Sequence, residues 1–321
     1  KAAGFGVASK EHDKERYEHK YEYCDLLIAG SGPSGLASAY AAAKNGARVI
    51  LAEDKPRFGG SLLTSDVSIN NQSGKEWADN IITELKGMTN VTVKNRAQIF
   101  GYYDHNMLVM SERVTDHLPK SEEFTPKQRL WYIRAKQVVI SSGSIERPIV
   151  FGNNDTPGVV LASAAKEYMK VYGVLVGKKP VVFTNNDSAY ETAIEFKKNN
   201  INPIVLDSRQ DSNSEIIKEA KSLGIDIRFS HVVVAAKGYK KVKSCDIAEI
   251  SEDKQNLNQI KNIECDCICV SGFWTPTIHL ASQSGGKTKF KEEIDAFVPD
   301  KSKQKEVTLG SANGVTTLEA P

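Results

Sequence analysis

Residues 25–60, DLLIAGSGPSGLASAYAAAKNGARVILAEDKPRFGG, restrict the fold more than any other part of the sequence. The stretch opens with a short apolar run of the buried-strand type at residues 26–29, followed by G-x-G-x-x-G and an Ala-rich segment that ends near Asn45. A second apolar run, at residues 48–52, ends at Glu53. This order of strand, turn, helix and strand predicts the first unit of a dinucleotide-binding α/β fold.

Each residue of the glycine motif has a physical role in such a fold. Gly30 permits the tight turn, Gly32 leaves room for a pyrophosphate against bare backbone, and Gly35 lets helix and strand pack closely. The start of the helix offers free N–H groups and the positive end of its dipole to phosphates. We therefore predict that the turn, including Pro33 and Ser34, binds a dinucleotide.

The end of the second strand predicts the ribose contact. Glu53 lies about 20 positions after Gly30, where a carboxylate accepts hydrogen bonds from ribose hydroxyls and favours a nucleotide without a 2′-phosphate. Asp54 and Lys55 follow, and either contact with the adenosine ribose or plain solvent exposure fits them. Gly60, the second residue of a Gly-Gly pair, indicates another close backbone approach, as is common in flavoproteins with two dinucleotide domains.

Length and charge limit the classes of protein. A chain of 321 residues suggests two domains, and a net charge of +2 gives no reason to expect nucleic acid or an anionic membrane as partner. No apolar run approaches membrane-spanning length, and the N-terminal stretch lacks the apolar segment of a signal peptide, so we predict a cytoplasmic protein.

The cysteines and histidines do not predict a metal or redox site. Cys265, Cys267 and Cys269 form C-x-C-x-C, which differs from the C-x-x-C of zinc knuckles and redox disulfides. A strand would place these three side chains on one face, where they serve as small buried apolar groups. The histidines show no metal-ligand spacing.

A second unit of the same kind is predicted from about residue 179, with a strand at 180–183 and a helix at 187–198. Its turn reads TNNDSAYE at residues 184–191, where nucleotide-binding relatives usually read G-G-G-D-S-A-x-E. Side chains replace all of these glycines and would occupy the space of a pyrophosphate. We predict a Rossmann-like domain without a nucleotide, in which Asp187 caps its helix.

Two further segments connect the predicted domains. An apolar strand at residues 136–140 runs into Gly143 and an E-R-P tail, in which Arg147 has a structural role. A return strand ends at Gly310-Ser311, where FAD-binding relatives carry Gly-Asp. We predict an arm at 1–23, a first domain at 24–147 plus 300–321, and a nested second domain at 148–299.

The two-dinucleotide plan resembles the thioredoxin-reductase and glutathione-reductase superfamily over nearly all of residues 24–318. More specifically, the sequence resembles the alpha subunits of heterotetrameric sarcosine oxidases. The segments that carry this resemblance are KAAGFG, CDLLIAGSGPSGLASA, GGSLL, FGYYD, RLWYIRAKQVVI, GSIERPIVFGNNDTPGV, TNNDSAYE and IDAFVP.

The resemblance implies a multisubunit flavin-dependent oxidase that demethylates sarcosine to glycine, with hydrogen peroxide and formaldehyde or 5,10-methylenetetrahydrofolate as products. It implies NAD in this chain, FAD in the beta subunit, FMN at the interface with the beta subunit, and tetrahydrofolate in a domain absent here. The implied partners are beta, gamma and delta subunits. Cofactor-site positions outside the glycine motif are Glu53, Asp54, Lys55, Gly60, Ser61, Ile99, Gly143, Gly310, Ser311 and Thr316.

Other functions stay open at this point. Complete alpha subunits carry a ferredoxin-like domain upstream and a folate-binding domain downstream, so we expect a fragment or one part of a split enzyme. One alternative is the alpha-type subunit of a proline, hydroxyproline or opine dehydrogenase, with FAD or ATP in place of NAD. Another is a stand-alone pyridine-nucleotide flavin oxidoreductase. The sequence offers no nucleophilic triad, paired carboxylates or Walker loop, and we predict no catalytic group.

Overall fold

The computed structural model describes residues 6–120, 124–251, 253 and 256–315. Its α-helices in that part are α1 Pro33–Lys44, α2 Gly74–Gly87, α3 Ala162–Tyr172, α4 Ser188–Lys198, α5 Glu215–Ser222 and α6 His279–Gln283. The strands there are β1 Tyr17–Ala29, β2 Val49–Ala52, β3 Ser68–Ile69, β4 Gln72–Ser73, β5 Val91–Lys94, β6 Ala97–Tyr103, β7 Met107–Arg113, β8 Gln128–Ile140, β9 Ser144–Glu146, β10 Val159–Leu161, β11 Pro180–Thr184, β12 Ile204–Asp207, β13 Asp226–Phe229, β14 His231–Lys237, β15 Ser244–Glu249, β16 Lys261–Glu264, β17 Cys267–Ser271, β18 Trp274–Pro276, β19 Lys287–Lys291, β20 Ala296–Lys301 and β21 Glu306–Thr308. Short 3₁₀ helices lie at Gly60–Leu63, Glu292–Ile294 and Gly310–Asn313. No helix in these ranges is both long and apolar enough to cross a membrane.

A mixed sheet carries the glycine motif. Its strand order is β5-β2-β1-β8-β7-β6, and β21 also pairs with β8. The strands β5, β2, β1, β8 and β21 pair in parallel, whereas β6, β7 and β8 form an antiparallel meander. Leu36 of α1 and Leu85 of α2 pack with Ile28 and Leu51 in one buried cluster on this sheet. The predicted return strand is confirmed as β21.

The first strand is longer than the sequence predicts. It begins at Tyr17, and residues 17–24 pair in parallel with residues 128–135 of β8. The prediction that residues up to 23 form an arm is therefore wrong for residues 17–23. The side chains of residues 17–23 are mostly exposed on both faces of the strand, so backbone pairing rather than burial stabilises this half of β1. The sequence therefore lacks the alternation of apolar and polar residues that would predict a strand here. The strand predicted at residues 136–140 is likewise the C-terminal part of a longer strand, β8, which begins at Gln128.

A second sheet is entirely parallel, with strand order β10-β17-β11-β12-β13. Helices α3, α4 and α5 bury Met169, Tyr190, Phe196 and Ile217 in one apolar cluster of this unit. An antiparallel sheet, β14-β15-β16, contributes Val233 to a separate apolar cluster with residues of β11 and β12. The predicted α/β class with two Rossmann-like units is confirmed.

The cysteines lie on different faces of the second sheet. Cys267 and Cys269 belong to the buried cluster that contains Tyr190, whereas Cys265 belongs to the cluster that contains Phe183. The prediction of a single face is wrong because β17 begins at Cys267, so Cys265 precedes the alternation of the strand. All three are buried free thiols, as predicted for small apolar groups.

Paired short strands join the two units of the chain. Strand β9 pairs antiparallel with β18 where the chain leaves the first sheet and returns to it. Arg147 has the predicted structural role, but it donates to the carbonyls of Ile294 and Asp295 rather than pairing with Glu146. Leu280 of α6 packs with the first sheet. The predicted domain limits remain predictions.

We expect Tyr190→Phe to lower the free energy of unfolding by about 1–2 kcal/mol. Tyr190 and Asp207 are both 0% exposed, and the phenol donates to the Asp207 carboxylate over 2.8 Å. Loss of this donor leaves a buried charge with one partner fewer. Urea denaturation measures the change, and Tyr168→Phe, on a tyrosine that is 48% exposed, is the matched control. Equal losses in the two variants would contradict the prediction.

Candidate nucleotide-binding site

The turn between β1 and α1 brings backbone into contact with backbone. Gly30 has φ +102°, and a Cβ at this position would lie 2.3 Å from the Ser141 carbonyl oxygen. A Cβ on Gly35 would lie 2.0 Å from the Gly30 carbonyl oxygen. Only glycine fits either position, and the start of α1 therefore lies directly against the ends of β1 and β8.

The start of α1 is open toward the crevice at the strand ends. Gly32 occupies the N-cap position with no side-chain cap, and Pro33 is the first helical residue. No atom lies within 4 Å of the position that a Cβ on Gly32 would take. A helix start leaves its first N–H groups without intrahelical acceptors, so this turn combines free donors, a positive dipole end and empty space.

The Glu53 carboxylate is fixed at the end of β2. It is 5% exposed, and its Oε2 accepts hydrogen bonds from the Ser31 N–H at 2.9 Å and the Ser31 hydroxyl at 2.6 Å. Its Oε1 accepts from the Lys55 N–H at 3.0 Å. Burial, and then the neighbouring Asp54 carboxyl, raise the pKa of Glu53 to about 7, although the donors of Ser31 and Lys55 favour the charged form.

The glycine pair after β2 reaches the motif turn. Gly60 has φ +54°, and a Cβ there would lie 2.9 Å from the Cα of Gly32. Ser61 follows in the 3₁₀ helix and is exposed. The structure therefore brings Gly60 to the glycine turn, with Ser61 next to it in sequence.

The loop after β2 is anchored on helices of the second sheet. Lys55 does not point into the glycine turn: its ammonium pairs with Glu167 of α3 at 2.9 Å. Asp66 pairs with Lys170 of α3 and, at 2.8 Å, with Lys198 of α4. Asp54 is exposed. The loop beside the glycine turn thus depends on both the first, mixed sheet and the second, parallel sheet for its position.

Gly310, another predicted position, lies against the glycine turn. A Cβ on Gly310, where φ is +64°, would lie 2.7 Å from the Ser34 hydroxyl. The Ser311 hydroxyl is the nearest group to Gly143, 3.9 Å from a Cβ built there. Ile99 lies on β6, two residues after Ala97, whose N–H donates to the Glu53 carbonyl at 2.8 Å. Thr316 lies outside the described residues.

Sequence reasoning missed two serines of the site. Ser31 contacts Glu53, and Ser141, at the end of β8, donates its hydroxyl to the carbonyls of Ala29 and Gly30. The available signals were small polar residues inside the glycine motif and in the Ser-Ser-Gly turn after β8.

The corresponding turn of the second sheet is filled by its own side chains. Asn186 donates to the Ser271 carbonyl at 3.1 Å, and its Oδ1 accepts from the Ser188 N–H at 3.1 Å. Trp274 donates to the Ser188 hydroxyl at 2.9 Å. The prediction that Asp187 caps α4 is wrong, because its side chain makes no cap bond and pairs with Arg209 at 2.8 Å.

The arrangement around Gly30 can hold a diphosphate and an adjacent ribose. Phosphates find backbone donors at the start of α1, and Glu53 offers an acceptor to a sugar hydroxyl. No group of three or more His, Cys, Asp or Glu residues within the described ranges is arranged to hold a metal ion.

Comparison with known proteins defines the class. The model of the pyridine nucleotide-disulphide oxidoreductase family matches residues 24–308, and the chain belongs to that family. The chain is also 36% identical to the alpha subunit of sarcosine oxidase from Rhizobium meliloti (strain 1021), over 100% of this chain and 31% of that protein. The predicted resemblance to sarcosine oxidase alpha subunits is confirmed. The chain spans about a third of the length of the curated relatives it matches.

Solved structures share the fold. Thioredoxin reductase of T. acidophilum matches with a TM-score of 0.68 and 16% identity, over 92% of each chain. L-proline dehydrogenase from P. horikoshii matches with a TM-score of 0.66 and 22% identity, over 94% of this chain and 53% of that one. These identities are low, so the two structures support the architecture alone.

The stability of the nucleotide-free protein depends on pH through Glu53. The carboxyl has an ordinary pKa of 4.5 and a folded pKa of about 7. Between these values the folded state binds more protons, so the free energy of unfolding falls as the pH rises through that window. We expect Glu53→Gln to remove about 1–3 kcal/mol of the fall, measured by urea denaturation at pH 4.5 and pH 8. Glu215→Gln, on a side chain that is 90% exposed, is the control, and a fall unchanged in Glu53→Gln would refute this assignment.

Proposed function

We propose that the first glycine turn binds NAD and that the chain is the NAD-binding part of an alpha subunit of a flavin-dependent sarcosine oxidase. The observation that carries the proposal is the open turn at Gly32 beside the fixed carboxylate of Glu53. The absence of an acid at Ser311 favours NAD over FAD, because FAD-binding relatives carry an aspartate there. The similarity to the alpha subunits of sarcosine oxidases supports the wider assignment.

The proposed complex places the chemistry outside this chain. Sarcosine is oxidatively demethylated to glycine with hydrogen peroxide and formaldehyde or 5,10-methylenetetrahydrofolate, with FAD in a beta subunit, and FMN at the interface between that subunit and this chain. Tetrahydrofolate binds in a domain that is not among these residues, and gamma and delta subunits complete a cytoplasmic heterotetramer. In this proposal the residues described here bind and orient NAD, which has no assigned hydride-transfer role.

The second sheet has no nucleotide in this proposal. The side chains of Asn186, Ser188 and Trp274 bond one another across the turn where a pyrophosphate would lie. A stand-alone reductase of the thioredoxin-reductase type needs a nicotinamide nucleotide in that domain, together with a redox dithiol. The filled turn and the lack of a C-x-x-C in the sequence argue against it.

Denaturing the purified protein and identifying the released nucleotide by absorbance and mass spectrometry tests the proposal. We expect colourless protein that releases NAD. Release of FAD or ATP would replace the proposal with the alpha-type subunit of a proline, hydroxyproline or opine dehydrogenase. The chain is 26% identical to one of the opine oxidase subunits of Agrobacterium tumefaciens over 50% of its length, which makes this outcome the main competitor.

We expect Gly32→Ala to fold normally and to lose nucleotide. Its φ of −66° suits alanine, and the new methyl meets no protein atom within 4 Å, so unfolding should change by no more than about 1 kcal/mol. The methyl occupies the path of the pyrophosphate, and the nucleotide affinity should fall about tenfold or more. Gly87→Ala, at the end of α2 and equally unobstructed, is the matched control for titration calorimetry. Unchanged affinity in Gly32→Ala would show that the pyrophosphate lies elsewhere.

A further inference from the structure

Ser31 connects three parts of the candidate site. It lies between the first two motif glycines and is 0% exposed. Both its N–H and its hydroxyl donate to the same oxygen of Glu53, Oε2, at 2.9 and 2.6 Å. The Gly59 N–H donates to the Ser31 carbonyl at 3.0 Å, with a longer contact of 3.3 Å to the hydroxyl. Ser31 thereby ties the motif turn to the end of β2 and to the glycine pair after it.

These bonds limit what the Glu53 carboxylate can still accept. An ionised carboxylate has about four lone-pair sites, two on each oxygen. Ser31 fills both sites of Oε2, and the Lys55 N–H takes one site of Oε1 at 3.0 Å. Apart from its contact with the neighbouring Asp54 carboxyl, the Glu53 carboxylate keeps one acceptor site, on Oε1.

We propose that Ser31 is a positioning residue that sets the ribose specificity of the nucleotide site. By filling Oε2 of Glu53, it restricts the carboxylate to one hydroxyl of the adenosine ribose, which binds through Oε1. The other ribose hydroxyl is not recognised by Glu53. This inference rests on the proposed function in one respect, that the glycine turn binds an adenosine diphosphate group. NAD, FAD and ATP all contain that group, so the inference is independent of which of them is bound.

The hydroxyl of Ser31 can be removed without removing the acceptor. Ser31→Ala keeps the backbone N–H on Oε2 but frees the lone pair that the hydroxyl occupied. Both oxygens of Glu53 then have a free site, and a carboxylate in that state can accept both ribose hydroxyls. The variant should therefore change the pattern of hydroxyl recognition, which a general loss of structure would not do.

The test compares the binding of ADP, 2′-deoxy-ADP and 3′-deoxy-ADP to the full chain freed of bound nucleotide, by titration calorimetry at pH 8. In the unmodified protein, loss of one ribose hydroxyl should weaken binding about tenfold, and loss of the other less than about twofold. In Ser31→Ala, the two deoxy nucleotides should weaken by similar factors. Ser38→Ala is the control: Ser38 lies in α1, close in sequence to Ser31, but its hydroxyl donates to the Ser34 carbonyl.

Two results would overturn the inference while leaving the proposed function intact. One is equal weakening by both deoxy nucleotides in the unmodified protein, and the other is an undiminished preference for one hydroxyl in Ser31→Ala. Failure of the folded, unmodified protein to bind ADP at all would overturn the proposed function as well. Thermal unfolding establishes that each protein is folded, and the unmodified protein decides the first point even if Ser31→Ala is unstable.

Discussion

The close approach of α1 to the ends of β1 and β8 is the constraint on which the rest of the first unit depends. A Cβ on Gly35 would lie 2.0 Å from the Gly30 carbonyl oxygen, so no side chain can stand between helix and strand. This contact aims the helix start at the strand ends, where parallel sheets bind ligands. Ser141, at the end of the neighbouring strand β8, strengthens this contact, because its hydroxyl donates hydrogen bonds to two carbonyls of the turn. The binding geometry is therefore a property of backbone packing, and the polar side chains refine it.

The first, mixed sheet and the second, parallel sheet each carry a strand–turn–helix unit, but the two turns differ in what fills them. At the first turn, absent side chains leave donors and space for a ligand. At the second turn, Asn186 supplies both the acceptor that satisfies the helix start and the donor that reaches Ser271. The buried Asp207 at the end of β12, equivalent in position to Glu53, is satisfied by Tyr190 and Arg209. Internal hydrogen bonds thus satisfy the polar groups around the second turn.

Local sequence predicts those parts of the structure whose causes are local. The glycine turn, the end of α1 and the strand at 180–183 follow from residue types that few other conformations accept. The N-terminal half of β1 could not be predicted, because its partner lies about a hundred residues away in β8 and its side chains face solvent. Asp187 is a residue type that commonly caps helices, but its carboxylate instead forms a salt bridge with Arg209, which follows β12. Ser31 was overlooked because its role exists only once β2 lies beside the turn.

Through the ion pairs of Lys55 and Asp66, helices packed on the second sheet help to hold the loop beside the first glycine turn in position. Lys55 and Asp66, in the loop beside the glycine turn, form ion pairs with residues of α3 and α4. Each of these exposed ion pairs contributes little free energy by itself. If one sheet rotated against the other about the β9–β18 connection, these ion pairs would have to break before the loop could follow. The second Rossmann-like unit thus restrains the loop beside the open turn of the first unit.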